Sequence, residues 1–367
     1  MDWVDVVRKV VPRPLRFALQ RVIPTGDVKR RFFARRNPLS SVMAGDESRL
    51  DVPFRLGIVS NRAQFHTSYV AACRELGVPF RVIDLYADDW LQRTRDAGCD
   101  AILAWPDATS TPAAKVIKDR LDVLEHHLGL RVAPGSSERW MYEDKVRLAD
   151  WLRAHEVPHP TTWVFFDRSE ATAFAASCPL PIVTKTAFGA AATGVRILRT
   201  RRAVRAAVAR AFGRGVVPGG ADLRDRQWGH VLFQRYVDVR LEWRLVRVGD
   251  AYFGHPKGRS GDFHSGSGAV LWDVPEDRHL DLLHAVTETG GFRSMAVDAF
   301  ETHGGELLVN ELQTVFGAGT SVDQMRVDGA PGRMIRSEAG WRFEAGDFAR
   351  NACANLRVED AIARWAS

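Results

Sequence analysis

Near the end of the sequence, Asp298 lies in MAVDAF, and Glu311 and Gln313 lie in VNELQT. The second stretch begins as a strand, Leu307-Leu308-Val309, then places polar groups where an apolar strand would continue. A buried carboxylate is costly unless it is paired or bound to a cation. Glu311 and Gln313 are two apart, so on one strand they share a face. The sequence His303-Gly304-Gly305 between the two stretches reads as a hairpin turn, which would set Asp298 across from them. Two carboxylates and an amide oxygen converging on one point suit Mg²⁺, with phosphate oxygens completing its shell. Taken alone, the set reads equally well as capped acids at a sheet edge. Asn310 would join the ligands only if a strand irregularity turned it inward.

Two further stretches have a chemistry of their own. In VTKTAFGAAATGV, Lys185 leaves a strand and is followed by Gly189, three alanines, Thr193 and Gly194. Small residues let backbone amides approach phosphate oxygens, and a lysine nearby supplies a point charge. The pattern is not a Walker A sequence. In VLFQRYVDV, a strand runs into a short extended linker, Gln234 to Val237 including Tyr236. Its backbone could meet an adenine edge, and Asp238 or Glu242 could take ribose hydroxyls. Alone, the first is a hairpin tip and the second an ordinary strand.

The elements that would position these groups follow from periodicity. FRLGIVS, VPFRVIDLY and CDAILAWP read as strands, separated by helices through YVAACRELG and DDWLQRTRDAG. Strand–helix alternation implies a parallel sheet. The helix TPAAKVIKDRLDVLEHHLG and the short strand LRVAP complete that unit. No GxGxxG follows its first strand, so a dinucleotide site is unsupported. A helix around Lys145 comes next, then the hairpin holding Lys185, the helix RRAVRAAVARAFGRG, and antiparallel strands through WGHVLFQRYVDVRLEWRLVRVGDAYFGHPK. Residues 335–367 read as mostly helical cover.

Bulk properties bound the class. With 367 residues, two or three domains are expected, and 46% hydrophobic with 26% charged residues is ordinary for a soluble globular chain. No apolar run of about eighteen residues predicts a membrane span. Cys73, Cys99, Cys178 and Cys353 are scattered without a CxxC pair, which fits a reducing cytoplasm better than disulfides or zinc. The formal net charge is +6, yet residues 1–40 alone hold ten basic and three acidic side chains, so the rest carries a net charge of −1. Basic residues interleaved with apolar ones in that arm suit an anionic membrane surface; packing on its own protein or on a second subunit is the competing reading. Nucleic acid is not expected, because the body shows no matching basic stripe.

The ordered set of Lys145, Lys185 before a glycine-rich loop, the linker at 234–237, Arg244, Asp298 and Glu311-x-Gln313 resembles the ATP-grasp superfamily over residues 51–320. The resemblance implies an α/β (α+β) architecture: a basic arm over 1–50, a parallel pre-ATP-grasp domain over 51–138, and a two-lobed ATP-grasp domain with a small lobe over 139–215 and a large lobe over 216–367. It also implies that Lys145, Lys185, Gly189, Thr193 and Gly194 bind ATP phosphates, that Gln234, Tyr236, Val237, Asp238 and Glu242 bind its nucleoside, and that Asp298, Glu311 and Gln313 hold Mg²⁺. Arg244, Lys257, Arg259 and His264 fall where the family places groups for the transferred phosphoryl and the acceptor. Two departures stand out. The metal motif is Glu-x-Gln where Glu-x-Asn is common, and no acid opens the linker.

The resemblance implies a cytoplasmic ligase that joins a carboxylate to an amine through an acyl phosphate, releasing ADP and phosphate. A kinase of the same fold and a non-catalytic ATP-responsive module are the alternatives. The partners are small-molecule, glycan or peptide carboxylates and amines; the arm leans the reading toward cell-envelope precursors. A homodimer is left open. The acceptor pocket would lie at the loop Ser60-Asn61-Arg62 through His66, at the carboxyl end of a parallel strand.

Overall fold

The computed structural model describes residues 34–35, 37–189, 194–218, 223–258, 270–316 and 323–366. Most of the basic arm, together with Thr193, Arg259 and His264, lies outside the described residues.

The first unit holds β1 (Ala44–Gly45), β2 (Leu56–Val59), α1 (Thr67–Leu76), β3 (Phe80–Ile83), α2 (Trp90–Ala97), β4 (Ala101–Leu103), α3 (Thr111–Asp122) and β5 (Arg131–Ala133). The sheet order is β1-β3-β2-β4-β5, and β3, β2, β4 and β5 are parallel. All four residues of β2 are buried, as expected of a parallel strand covered on both faces. The chain leaves β2 toward β3 and then crosses to β4 on the other side, so the sheet reverses direction between β2 and β4. Gly77, at φ +64°, ends α1 in the left-handed conformation that a Cβ disfavours. Ser110 caps α3 by accepting from the Ala113 amide.

The next unit follows through α4 (Ser136–Met141), α5 (Lys145–Ala154), β6 (Thr162–Phe165), α6 (Arg168–Ser177), β7 (Ile182–Lys185), β8 (Val195–Leu198), α7 (Arg201–Phe212) and β9 (Val231–Arg235). Its sheet has the order β6-β9-β7-β8 and is antiparallel. Because β9 sits inside it, this lobe runs to Arg235 and not to residue 215. The resemblance set the boundary at residue 215, after α7. The structure shows that the chain returns once more before crossing.

The large lobe contains β10 (Val239–Val248), β11 (Ala251–Lys257), α8 (Asp277–Gly290), β12 (Ser294–Thr302), β13 (Leu307–Gln313), β14 (Arg326–Val327), β15 (Ala330–Ser337) and β16 (Gly340–Ala345), followed by α9 (Arg350–Trp365). The sheet order is β13-β12-β10-β11-β15-β14, with β16 on β15. The tail is therefore not mostly helical. Residues 330–345 form a hairpin in which Trp341 and Phe343 alternate with charged residues, a period-two pattern. Helix α9 turns back onto the first unit: Ala354, Val358 and Ala361 share a core with Leu56, Ile58, Tyr69 and Val70. The last helix thus ties the chain's end to its first domain.

Glu301 pins this lobe from within. It is 1% exposed, and accepts from Trp243 Nε1 at 2.7 Å and from Arg240 and Arg278, joining β10, β12 and α8. Burial alone would raise its pKa, but the hydrogen bonds from Arg240, Trp243 and Arg278 outweigh burial and hold it at about 2. A depressed folded pKa stabilises above the unfolded value, about 4.3, and that contribution fades as pH falls toward 2. We predict that urea midpoints measured from pH 6 to pH 2 fall less steeply in Glu301→Gln than in the parent. An identical slope would rule out the assignment.

Candidate active site

The register of the large sheet sets a polar row across its face. Glu311 on β13 pairs with Asp298 on β12, Asp298 with Arg244 on β10, and Arg244 with His255 on β11. Directly opposed residues point to one side, so all four share a face. Glu242 and Lys257, also opposed, lie two residues along on the same face. Asp298 and Glu242 are each 2% exposed, so their charges require partners. Arg244 donates Nε to Asp298 Oδ1 at 3.0 Å and Nη2 to Oδ2 at 3.1 Å. Lys257 donates to Glu242 at 2.7 Å and also to Asp298. Burial would raise the Asp298 pKa, but Arg244 and Lys257 drive it well below the usual carboxylate range.

Between Asp298 and Ala299 the pairing slips: Asp298 faces Glu311 while Ala299 faces Val309. Asn310 is the extra residue of a bulge. Its Oδ1 accepts from Lys185 Nζ at 2.8 Å, and Glu311 Oε1 lies 3.6 Å from Lys145 Nζ. The strand irregularity on which an inward Asn310 depended is present, and two successive side chains of β13 reach lysines from the preceding unit.

Each lysine is placed by a local device. Lys145 is the first residue of α5, which Asp144 caps by accepting from the Val146 and Arg147 amides, both at 3.1 Å. Its Nζ also donates to the Gly189 carbonyl at 2.7 Å, at the start of the small-residue loop. Lys185 ends β7. Burial lowers its pKa to about 8, against the opposing pull of Glu311. A Cβ on Gly194, where that loop returns, would lie 1.8 Å from Thr186 Oγ1, so only glycine fits there. Gln227 closes the base of the loop, accepting from the Ala187 amide at 2.5 Å and donating to the Phe188 carbonyl at 2.8 Å.

The nucleoside candidates divide. Gln234 lies within β9 and donates to Thr162 Oγ1 at 3.2 Å, whereas Tyr236, Val237 and Asp238 form the crossing from β9 to β10. The Glu242 carboxylate is buried and pairs with Lys257, whereas Asp238 is the exposed acid of the two. His66 is a structural histidine: its Nδ1 accepts from the Asn61 amide at 3.1 Å, and burial pushes its pKa to about 4. Sequence reading missed three groups. His255 lies beside Arg244, with Nδ1 2.8 Å from the Gln324 carbonyl. Gln227 holds the loop base. Glu143 is a carboxyl whose pKa is raised by burial and by the charge of Glu311. Only the polar run Glu143-Asp144-Lys145 signalled the last.

Glu311 and Gln313 are partly exposed oxygen donors, which fits a hard cation in type and access. Asp298 fits less directly, because Arg244 and Lys257 already engage its oxygens. The group Asp122, Glu125 and His126 is the only cluster of three such side chains among the described residues, and Arg139 already pairs with both of its acids.

No protein-family model matches the sequence, and no curated protein matches it. Solved structures do. N5-carboxyaminoimidazole synthetase from Staphylococcus aureus complexed with ADP superposes with a TM-score of 0.55 at 12% identity, over 79% of this chain and 84% of that one. D-alanine–D-alanine ligase from Bacillus anthracis gives 0.53 at 13% identity, over 86% and 99%. The ADP complex of purK, N5-carboxyaminoimidazole ribonucleotide synthetase, gives 0.52 at 15% identity, over 74% and 72%. These likenesses are of fold: an α/β domain is followed by two lobes that Lys145 and Lys185 link to β13, and the chain has the ATP-grasp fold.

The buried cluster carries a stability prediction. Asp298→Ala leaves Arg244 and Lys257 without their shared carboxylate, and breaking a buried pair this way costs about 3–5 kcal/mol. Chemical denaturation checks this. A loss under about 1 kcal/mol would mean that the cluster is solvated and not buried.

Proposed function

We propose that the chain is an ATP-dependent ligase that joins a carboxylate to an amine through an acyl phosphate, releasing ADP and phosphate. The observation that carries this reading is the convergence of Lys145 and Lys185, from α5 and β7, on Glu311 and Asn310 of β13. Two cations facing carboxylate and amide oxygens across a cleft suit the phosphates of a nucleotide. Lys145 and Lys185 would bind them, and the loop that Gln227 and Gly194 anchor would close over them.

A carboxylate is a poor electrophile because its charge is delocalised. Phosphoryl transfer to it creates an acyl phosphate with a good leaving group, which the amine then displaces. Catalysis of this kind is positioning and charge stabilisation, and needs no nucleophilic side chain. Glu311 and Gln313 would hold Mg²⁺, with Asp298 adding its charge from behind. The metal, when bound, neutralises phosphate oxygens. Arg244 and Lys257, fixed by Asp298, present positive charge to the transferred phosphoryl and need not reorganise as it moves. The acceptors are small carboxylates and amines; the cell-envelope precursor reading rests on the basic arm, which lies outside the described residues. Among the described residues no helix is long and apolar enough to cross a membrane.

Incubation with Mg²⁺, ATP and fractionated extract should yield ADP and free phosphate together with an amide-linked product. ADP without free phosphate, with an acceptor heavier by a phosphoryl group, would point instead to a kinase. Glu311→Ala should abolish turnover with little change in unfolding, since the residue is partly exposed and packs little. Parent-like turnover would remove Glu311 from the site.

Lys185 adds a pH dependence. Its proton is lost near pH 8, so Mg-ATP affinity in the free protein should fall as pH rises through that value. Lys185→Met should bind more weakly at pH 7 and show no such inflection. A wild-type profile flat from pH 7 to 9 would contradict the role.

A further inference from the structure

The first domain carries an arginine that no contact among the described residues neutralises. Arg62 follows β2, at the carboxyl edge of the parallel sheet, where the order β3-β2-β4 reverses direction. Open parallel sheets bind ligands in the crevice at that switch point. Three contacts fix the loops at this edge. Asn61 Nδ2 donates to the Trp105 carbonyl at 2.9 Å, tying the loop after β2 to the loop after β4. The Arg62 guanidinium lies 4.0 Å over the ring of Tyr86, the third residue past β3. The Tyr86 hydroxyl donates to Asp107 Oδ2 at 2.9 Å, so the platform cannot swing away.

The carboxylates close by are used elsewhere. Asp107, buried, also accepts from the Thr109 amide at 2.7 Å and the Arg62 amide at 3.4 Å. Asp84 accepts from the Tyr86 amide at 2.9 Å and from Ser60 Oγ at 3.4 Å. Arg62 makes no ion pair among the described residues, and its Nε is buried without an acceptor. A buried donor without a partner is costly, and native folds keep such groups mainly where a ligand or water completes them. Stacking occupies the face of the guanidinium and leaves its edge, a planar fork that matches a carboxylate or a phosphate with two parallel hydrogen bonds.

We infer that the molecule entering this crevice carries an anionic group of its own, a carboxylate or a phosphate monoester, and that Arg62 on its Tyr86 platform binds it. This rests on the ligase reading: the group is additional to the carboxylate that is activated, so an acceptor with one carboxylate and no other anion would be a poor substrate.

Inorganic phosphate and succinate, titrated calorimetrically into protein saturated with Mg-ADP, test this with the nucleotide site filled. One of the two should bind, and which one distinguishes a phosphate from a carboxylate. Arg62→Met should weaken that binding tenfold or more while ADP affinity stays within twofold, and Arg62→Lys should recover part of it. Tyr86→Leu, which removes the platform and keeps the charge, should weaken it as well. Equal binding by parent and Arg62→Met, or no binding of either anion to the parent, would overturn the inference. Failure of ADP to bind would count against the nucleotide reading alone, and the same titrations without ADP would still decide the role of Arg62.

Discussion

The large lobe is organised around a charge that water scarcely reaches. Asp298 is ionised inside a sheet, and the cost of burying it is met only while Arg244 and Lys257 hold both of its oxygens. That requirement fixes the register of β10 and β12 and the length of β11, because Arg244 must stand directly across from Asp298 and Lys257 must come from the end of its strand. A one-residue slip would turn all of these side chains to the opposite face. Lys257 is shared with Glu242, so the two buried acids and two cations form a single unit. Its elements are held by a second ionic cluster, Glu301 with Arg240 and Arg278, which links the same two strands to α8. What the cleft gains is a set of cations whose positions are decided before any ligand arrives.

The bulge at Asn310 is the second device. A regular strand would present Glu311 and Gln313 to the cleft and turn Asn310 away. One extra residue lets Asn310 reach Lys185 while Glu311 stays near Lys145. The lobes therefore meet through side chains that nucleotide phosphates could compete for. A lysine held by an amide oxygen is restrained yet readily exchanged, because that bond is weaker than one to a charged acceptor. Bulges beside functional sites commonly re-aim a side chain in this way.

Much of this was legible in the sequence, and the limits have physical causes. Parallel strands of the first domain announced themselves as apolar runs between helices, and the hairpin around Lys185 by its small residues. The pairing of Asp298 with Glu311 followed from a turn and a two-residue period. The ion pair of Glu242 was not legible, because strand periodicity gives the face a residue occupies and not the partner it finds there; Lys257 lies fifteen residues away in sequence. The hairpin at 330–345 was missed because its arginines and glutamates alternate with few apolar residues on an outer strand, which weakens the pattern. The placement of β9 was missed because the return of a strand to an earlier sheet is a long-range choice. Arg62 was readable as a residue at a strand end, but its stacking on Tyr86 depends on the packing of three loops.

Counting the charges shows what the cleft favours. Lys145, Lys185, Arg244 and Lys257 face Asp298, Glu242, Glu311 and Glu143, and the Glu143 pKa is raised. The described groups are thus close to neutral or slightly positive. A nucleotide triphosphate brings about four negative charges, more than such a balance can hold without added cations. Partly exposed oxygens at Glu311 and Gln313 are where a hard divalent cation would restore the balance, sharing the phosphates with the lysines. The same arithmetic leaves little positive charge in the cleft for a second anion. A substrate bearing one would have to neutralise it elsewhere, and at the switch point of the first sheet Arg62 is the group placed to do so.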